Sequence, residues 1–97
     1  NELGQSGKAA NYVNMIRNRA GLANTTAADQ VTLRAAIKQE RRIEFAMEFE
    51  RFYDLVRWGD APAVLGAKGY TDKNKYFPIP QEAIDKSQGV LVQNPNY

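Results

Sequence analysis

The stretch from residue 32 to residue 49 (TLRAAIKQERRIEFAMEF) constrains this chain more than any other. Leu33, Ala36 and Ile37 recur at the three- and four-residue spacing of one helix face. Past Arg42 the apolar residues no longer keep to that face. Ile43, Phe45, Ala46, Met47 and Phe49 spread around the helix. A helix that is apolar on several sides has to be covered on several sides. The chain has only 97 residues, enough for one small domain at most. A domain of that size buries about 60–65% of the surface its unfolded chain exposes. The core is therefore expected to be thin and to depend on neighbours. The chain starts at Asn1 without an initiator methionine, as a cut segment or a processed protein does.

Further helices follow the same logic. Ala9, Tyr12, Val13, Ile16 and Ala20 predict a first helix over residues 7–20, with Ser6 as a candidate cap. Arg17 and Arg19 fall in its last turn, where cations suit the helix dipole, and Gly21 suits a left-handed cap. Residues 22–31 read as a connection. Thr26 and Asp29 have the spacing of a capping box for a short turn, and Thr32 reads as the cap of the main helix. A third segment spans residues 51–58 and stops at Gly59. Residues 61–65 make one more turn, with Pro62 near its start and Gly66 ending it. Residues 67–75 form a polar loop. Residues 76–80 (YFPIP) must be extended, because each proline restricts the residue before it. Pro80 opens a short helix to about Lys86, and residues 88–97 read as irregular. The expected fold is all-α with an extended, proline-containing tail.

The composition closes several routes to function. The chain has no Cys and no His, which removes thiol catalysis, disulfides, imidazole bases and His-based metal sites. Thirteen basic against eleven acidic residues leave a net charge of +2. Arg17, Arg19, Arg34, Lys38, Arg41 and Arg42 could make a nucleic-acid face, but acidic residues interleave them, which favours a solvated face of mixed sign. No nucleic-acid partner is expected. No apolar run approaches the roughly 20 residues a membrane span needs.

Two clusters could carry chemistry. Glu40, Glu44 and Glu48 follow at four-residue spacing, where like charges repel. Arg41, Arg42, Arg51 and Arg57 are candidate partners, with Asp54 as a further acceptor. The favoured reading is a structural ion network tying this helix to the next segment. A calcium or magnesium site and a paired acid and base are the alternatives. Glycosidase carboxylates flank a cleft, and three on one stripe do not. The second cluster is Phe45, Phe49, Phe52, Tyr53 and Trp58, read as core, with Tyr53 and Trp58 as the candidates for stacking on a sugar or a base. No catalytic, cofactor or metal residue is assigned, and no ligand-binding residue.

Five motifs follow one another over almost the whole chain: YVNMIRNRAGL (12–22), AIKQERRIEFAME (36–48), RFYDLVRWG (51–59), YFPIPQE (76–82) and QNPNY (93–97). Together and in this order they resemble the SusD/RagB family. The resemblance implies that residues 1–97 are the C-terminal segment of a longer, mostly helical protein with tetratricopeptide-like helix pairs. It implies a lipoprotein of the outer membrane, exposed at the cell surface and anchored through an upstream cysteine. Such a protein captures glycans or other nutrients and passes them to a SusC-like, TonB-dependent transporter. It implies no enzyme activity and no cofactor, and it places most ligand contacts in other parts of the protein. The alternative is a small helical interaction module, one that could bind nucleic acid. Two positions depart from the family pattern. Phe49 stands where Gly often follows the final Glu of the second helix, which argues against a break there. Asn96 replaces the last Gly, a mild change because Asn tolerates left-handed geometry.

Overall fold

The computed structural model describes residues 1–97 as an all-α chain with no strand. The helices are α1 (Ser6–Arg19), α2 (Gln30–Glu44), α3 (Glu50–Trp58), α4 (Ala61–Leu65) and α5 (Gln81–Lys86). Two 3-10 turns, Gly66–Lys68 and Asp72–Lys75, stand at the two ends of the polar loop, the first beginning one residue ahead of it. The chain divides into two compact units, Asn1–Arg51 and Phe52–Tyr97.

In the first unit, α1 and α2 lie side by side. Their cross-links, the first from Glu2 just ahead of α1, advance in the same direction: Glu2 with Arg34, Arg17 with Glu40, Arg19 with Glu44. The helices therefore run in the same sense, and the connection has to travel back. α1 has 14 residues and is about 21 Å long at 1.5 Å per residue. Residues 21–29 can span up to about 30 Å when extended, which is enough for the return. Thr25 N–H is pinned on the way by Asn14 Oδ1 at 2.8 Å.

The end of α1 explains why its motif closes on Ala-Gly-Leu. Gly21 has φ 72°. Its N–H reaches the Asn18 carbonyl at 3.0 Å, and Leu22 N–H reaches that of Arg17 at 2.9 Å, the paired bonds of a Schellman cap. α3 ends in the same way. Gly59 has φ 74°, and Asp60 N–H bonds the Leu55 carbonyl at 2.9 Å.

Three helix boundaries differ from expectation. Ser6 is the first residue of α1 and not its cap, and its hydroxyl donates to Asn1 Oδ1 at 3.1 Å. The cap of α2 is Asp29, not Thr32. Asp29 Oδ1 accepts from Val31 N–H at 2.9 Å and Thr32 N–H at 3.0 Å, so the helix starts at Gln30 and no turn forms at Thr26. These bonds, led by the one from the Thr32 side chain, hold the Asp29 carboxyl below the usual carboxylate range. The third difference is the largest. α2 ends at Glu44, well short of Phe49. Met47 and Phe49 have φ of 69° and 62°, a conformation that a helix cannot pass through and that side-chain-bearing residues adopt rarely. Phe49 takes this left-handed conformation although it stands where the SusD/RagB pattern often has Gly. Asn96 is likewise left-handed, at φ 69°.

The apolar core is as thin as the length implies. Val13 and Leu33 are buried in the first unit, Leu55 and Ala61 in the second. Leu33 is fully covered, which is worth about 1.5–3 kcal/mol. Met47 and Phe49 are 93% and 89% exposed.

Candidate functional site

The glutamate stripe is structural, and its partners are not the ones expected. Glu40 accepts from Arg17 Nη1 at 2.9 Å, and Glu44 pairs with Arg19. Both cations come from α1, so the stripe ties the two long helices of one unit together. Arg17 also donates from Nε to the Ala23 carbonyl at 2.8 Å, fixing the start of the return connection. Glu40 is buried and Glu44 half-buried, while Glu48 lies beyond the helix end and is exposed. The expected partners are placed otherwise. Asp54 is buried and pairs with Arg57 one turn on. Arg41 lies 4.7 Å above the Phe45 ring, and Arg42 is exposed. Arg17, Arg19 and Arg34 are each matched by a carboxylate, so half of the candidate nucleic-acid face is neutralised within the chain. Arg34 binds Glu2 through two nitrogens, and that hydrogen bonding lowers the Glu2 carboxyl and raises the Arg34 guanidinium.

The expected aromatic core divides. Phe45 is half-buried and Phe49 bare, because the helix that was to align them stops first. Tyr53 is exposed, and Trp58 is half-buried with the Arg57 guanidinium 5.9 Å from its ring. Phe52 makes an edge contact with Tyr53 at 5.8 Å, and a second with Tyr70 at 6.2 Å.

That second contact leads to a pocket of about 370 Å³ inside the Phe52–Tyr97 unit. Phe52 and Tyr70 line it together with Tyr76, Phe77 and Tyr97, and Lys68 and Asn74 border it. Its volume is within the roughly 300–1,000 Å³ usual for small-molecule sites. Four of these aromatics, Tyr70, Tyr76, Phe77 and Tyr97, lie in the loop and tail, where sequence pattern assigns them no role. The available signal was the density of Tyr and Phe in the closing segment.

The pocket wall is held by the two motifs that close the sequence. Pro78 and Pro80 have no N–H, so the extended segment cannot pair regularly with a neighbouring strand. Side chains of the tail pair with it instead. Gln93 Oε1 accepts from Ile79 N–H at 2.8 Å, and Gln93 Nε2 donates to the Ile79 carbonyl at 2.9 Å. Asn94 Nδ2 donates to the Phe77 carbonyl at 2.7 Å, and the Tyr97 hydroxyl to that of Tyr76 at 2.8 Å. This clamp accounts physically for a Gln-Asn-Pro-Asn-Tyr ending after a Phe-Pro-Ile-Pro segment, and it fixes the backbone that bears Tyr76 and Phe77. On the opposite border, Asn74 Oδ1 accepts from the backbone N–H and hydroxyl of Thr71 at 2.7 and 3.0 Å, closing the capping box of the second 3-10 turn.

Comparison with known proteins identifies the frame that carries these features. The pattern of the SusD family matches residues 1–76. The chain belongs to the SusD family. It is 32% identical to SusD-like protein P2 of Formosa agariphila over 95% of its own length and 21% of that protein. It is 43% identical to SusD-like protein P25 of the same organism over 61% of its length and 12% of that protein. A crystal structure of a SusD-like protein from Bacteroides fragilis superposes on 99% of the chain with a TM-score of 0.83 and 34% identity, over 22% of that protein. Surface glycan-binding protein A from Bacteroides thetaiotaomicron superposes on 91% of the chain with a TM-score of 0.68 and 38% identity, over 19% of that protein. The chain thus spans about a fifth of the length of several SusD-like relatives.

Proposed function

We propose that the chain is the structural C-terminal part of a surface glycan- or nutrient-binding protein that delivers its ligand to a SusC-like, TonB-dependent outer-membrane transporter. The observation that carries this reading is the match of nearly the whole chain to about a fifth of relatives that include a surface glycan-binding protein. The thin core and the bare apolar side chains at Met47 and Phe49 support a segment that works within a larger body. The mechanism is capture and hand-over without a covalent step. The Arg17–Glu40 and Arg19–Glu44 pairs and the two glycine-ended helices serve as frame. The protein is lipid-anchored at the outer membrane through a cysteine upstream of these residues. No helix here is long and apolar enough to cross a membrane.

The test is a binding comparison on the intact protein. Trp58→Ala, in a variant that remains folded, is expected to leave glycan affinity unchanged, because Trp58 belongs to the frame. A large loss of affinity without loss of stability overturns that role. Affinity purification from solubilised outer membranes is expected to retain a TonB-dependent transporter, and its consistent absence overturns the hand-over.

A further inference from the structure

We propose that the aromatic pocket of the Phe52–Tyr97 unit is a subsite for one pyranose ring of a glycan, an inference that rests on the glycan-binding reading above. A pyranose offers an apolar face of C–H groups about as broad as an aromatic ring, and a rim of oxygens. It is therefore met by aromatic faces bordered by hydrogen-bond donors, and the pocket has both. Tyr76 and Phe77 are 56% and 72% exposed, yet the segment that bears them is fixed by the Gln93, Asn94 and Tyr97 side chains. Exposed aromatics on a fixed backbone lose little freedom when a ligand stacks on them.

The polar border points the same way. Lys68 has a free ammonium group and no acidic side chain lines the pocket. Asn74 uses its carbonyl oxygen on Thr71, which leaves its amide hydrogens for a ligand. Both groups are donors, and sugar hydroxyl and ring oxygens accept. A hydrocarbon ligand would leave these donors unpaired, which is unfavourable once water is displaced. The Tyr70 hydroxyl adds a third polar group. It is covered and has no hydrogen-bond partner, the only buried side-chain polar atom of the chain in that condition. Such orphaned groups are rare in folded proteins, and a ligand oxygen in the pocket would supply a partner after a small turn of the ring.

The experiment is saturation-transfer NMR on the intact protein with methyl β-D-glucoside, methyl β-D-galactoside, methyl α-D-mannoside and methyl β-D-glucuronide. In parallel, its mobility is measured in gels containing starch, laminarin, xylan, pectin or alginate. At least one glycoside is expected to receive saturation, and Phe77→Ala and Lys68→Ala each to weaken its binding about tenfold with an unchanged circular dichroism spectrum. Both side chains are exposed, so neither variant threatens the fold. Four silent glycosides, or binding equal in wild type and both variants, overturn the subsite. If a polysaccharide still retards the protein in that case, the glycan-binding reading stands alone. A protein that ignores every glycoside and every polysaccharide overturns both.

Discussion

Phe49→Gly is expected to stabilise the chain, although it removes a large apolar side chain. Phe49 has φ 62°, and an L-residue held in the left-handed region costs about 1–2 kcal/mol. Glycine adopts that region without the clash. Two losses oppose the gain. The side chain is 89% exposed, so its contacts contribute only about 0.2–0.3 kcal/mol of the roughly 1.5–3 available on full burial. Glycine also gives the unfolded chain more freedom, worth about 0.4–1 kcal/mol. The balance is a gain of about 0.5 kcal/mol, which corresponds to about 2–4 °C in Tm for a domain of this size. Phe49→Ala is the control. It keeps the left-handed strain and loses the same few contacts, so it should not exceed wild type. Thermal and urea unfolding followed by circular dichroism measure both variants, with the urea slope showing that the unfolded reference is unchanged. Destabilisation of Phe49→Gly by 1 kcal/mol or more would refute the reasoning, because it would mean that the Phe49 side chain is packed and that the break after α2 is held by it.

Three other outcomes follow from the same geometry. Arg17→Ala leaves the buried Glu40 carboxylate without its partner and should cost about 3 kcal/mol in urea unfolding; a cost below about 0.5 kcal/mol would make it an ordinary surface pair. Gln93→Ala removes two hydrogen bonds to Ile79 and should cost about 1–3 kcal/mol, with amide exchange at Ile79 accelerated far more than exchange in α2; unchanged exchange at Ile79 refutes the clamp. Asp29 has a folded-state pKa below its unfolded value, so its contribution is complete above the ordinary aspartate range and is lost as pH falls through the lowered value. Asp29→Asn keeps an accepting oxygen at the cap and should abolish this part of the acid dependence of α2 helicity, measured by circular dichroism between pH 5 and pH 2.

Much of this fold was legible in the order of residues, because much of it is decided locally. Gly21 and Gly59 end their helices through bonds that reach back only a few residues; apolar spacing located α1, and Gly59, Pro62 and Gly66 bounded α3 and α4, to within a residue or two. The prolines at 78 and 80 dictated an extended segment whatever lay beside it. The family was legible as well, since five short motifs in a fixed order are a property of sequence alone.

What the tertiary structure decided lies across longer separations or against local preference. The glutamate stripe announced a need for cations, but pairing with Arg17 and Arg19 joins residues 23 and 25 positions apart, and only the shared direction of α1 and α2 brings them together. The break after Glu44 opposes the left-handed reluctance of Met47 and Phe49, so no local rule could have placed it. The pocket depends on Gln93, Asn94 and Tyr97 returning to residues 76–79. A tail names its hydrogen-bonding groups in its sequence, but which backbone they meet is settled by the path the chain takes between them.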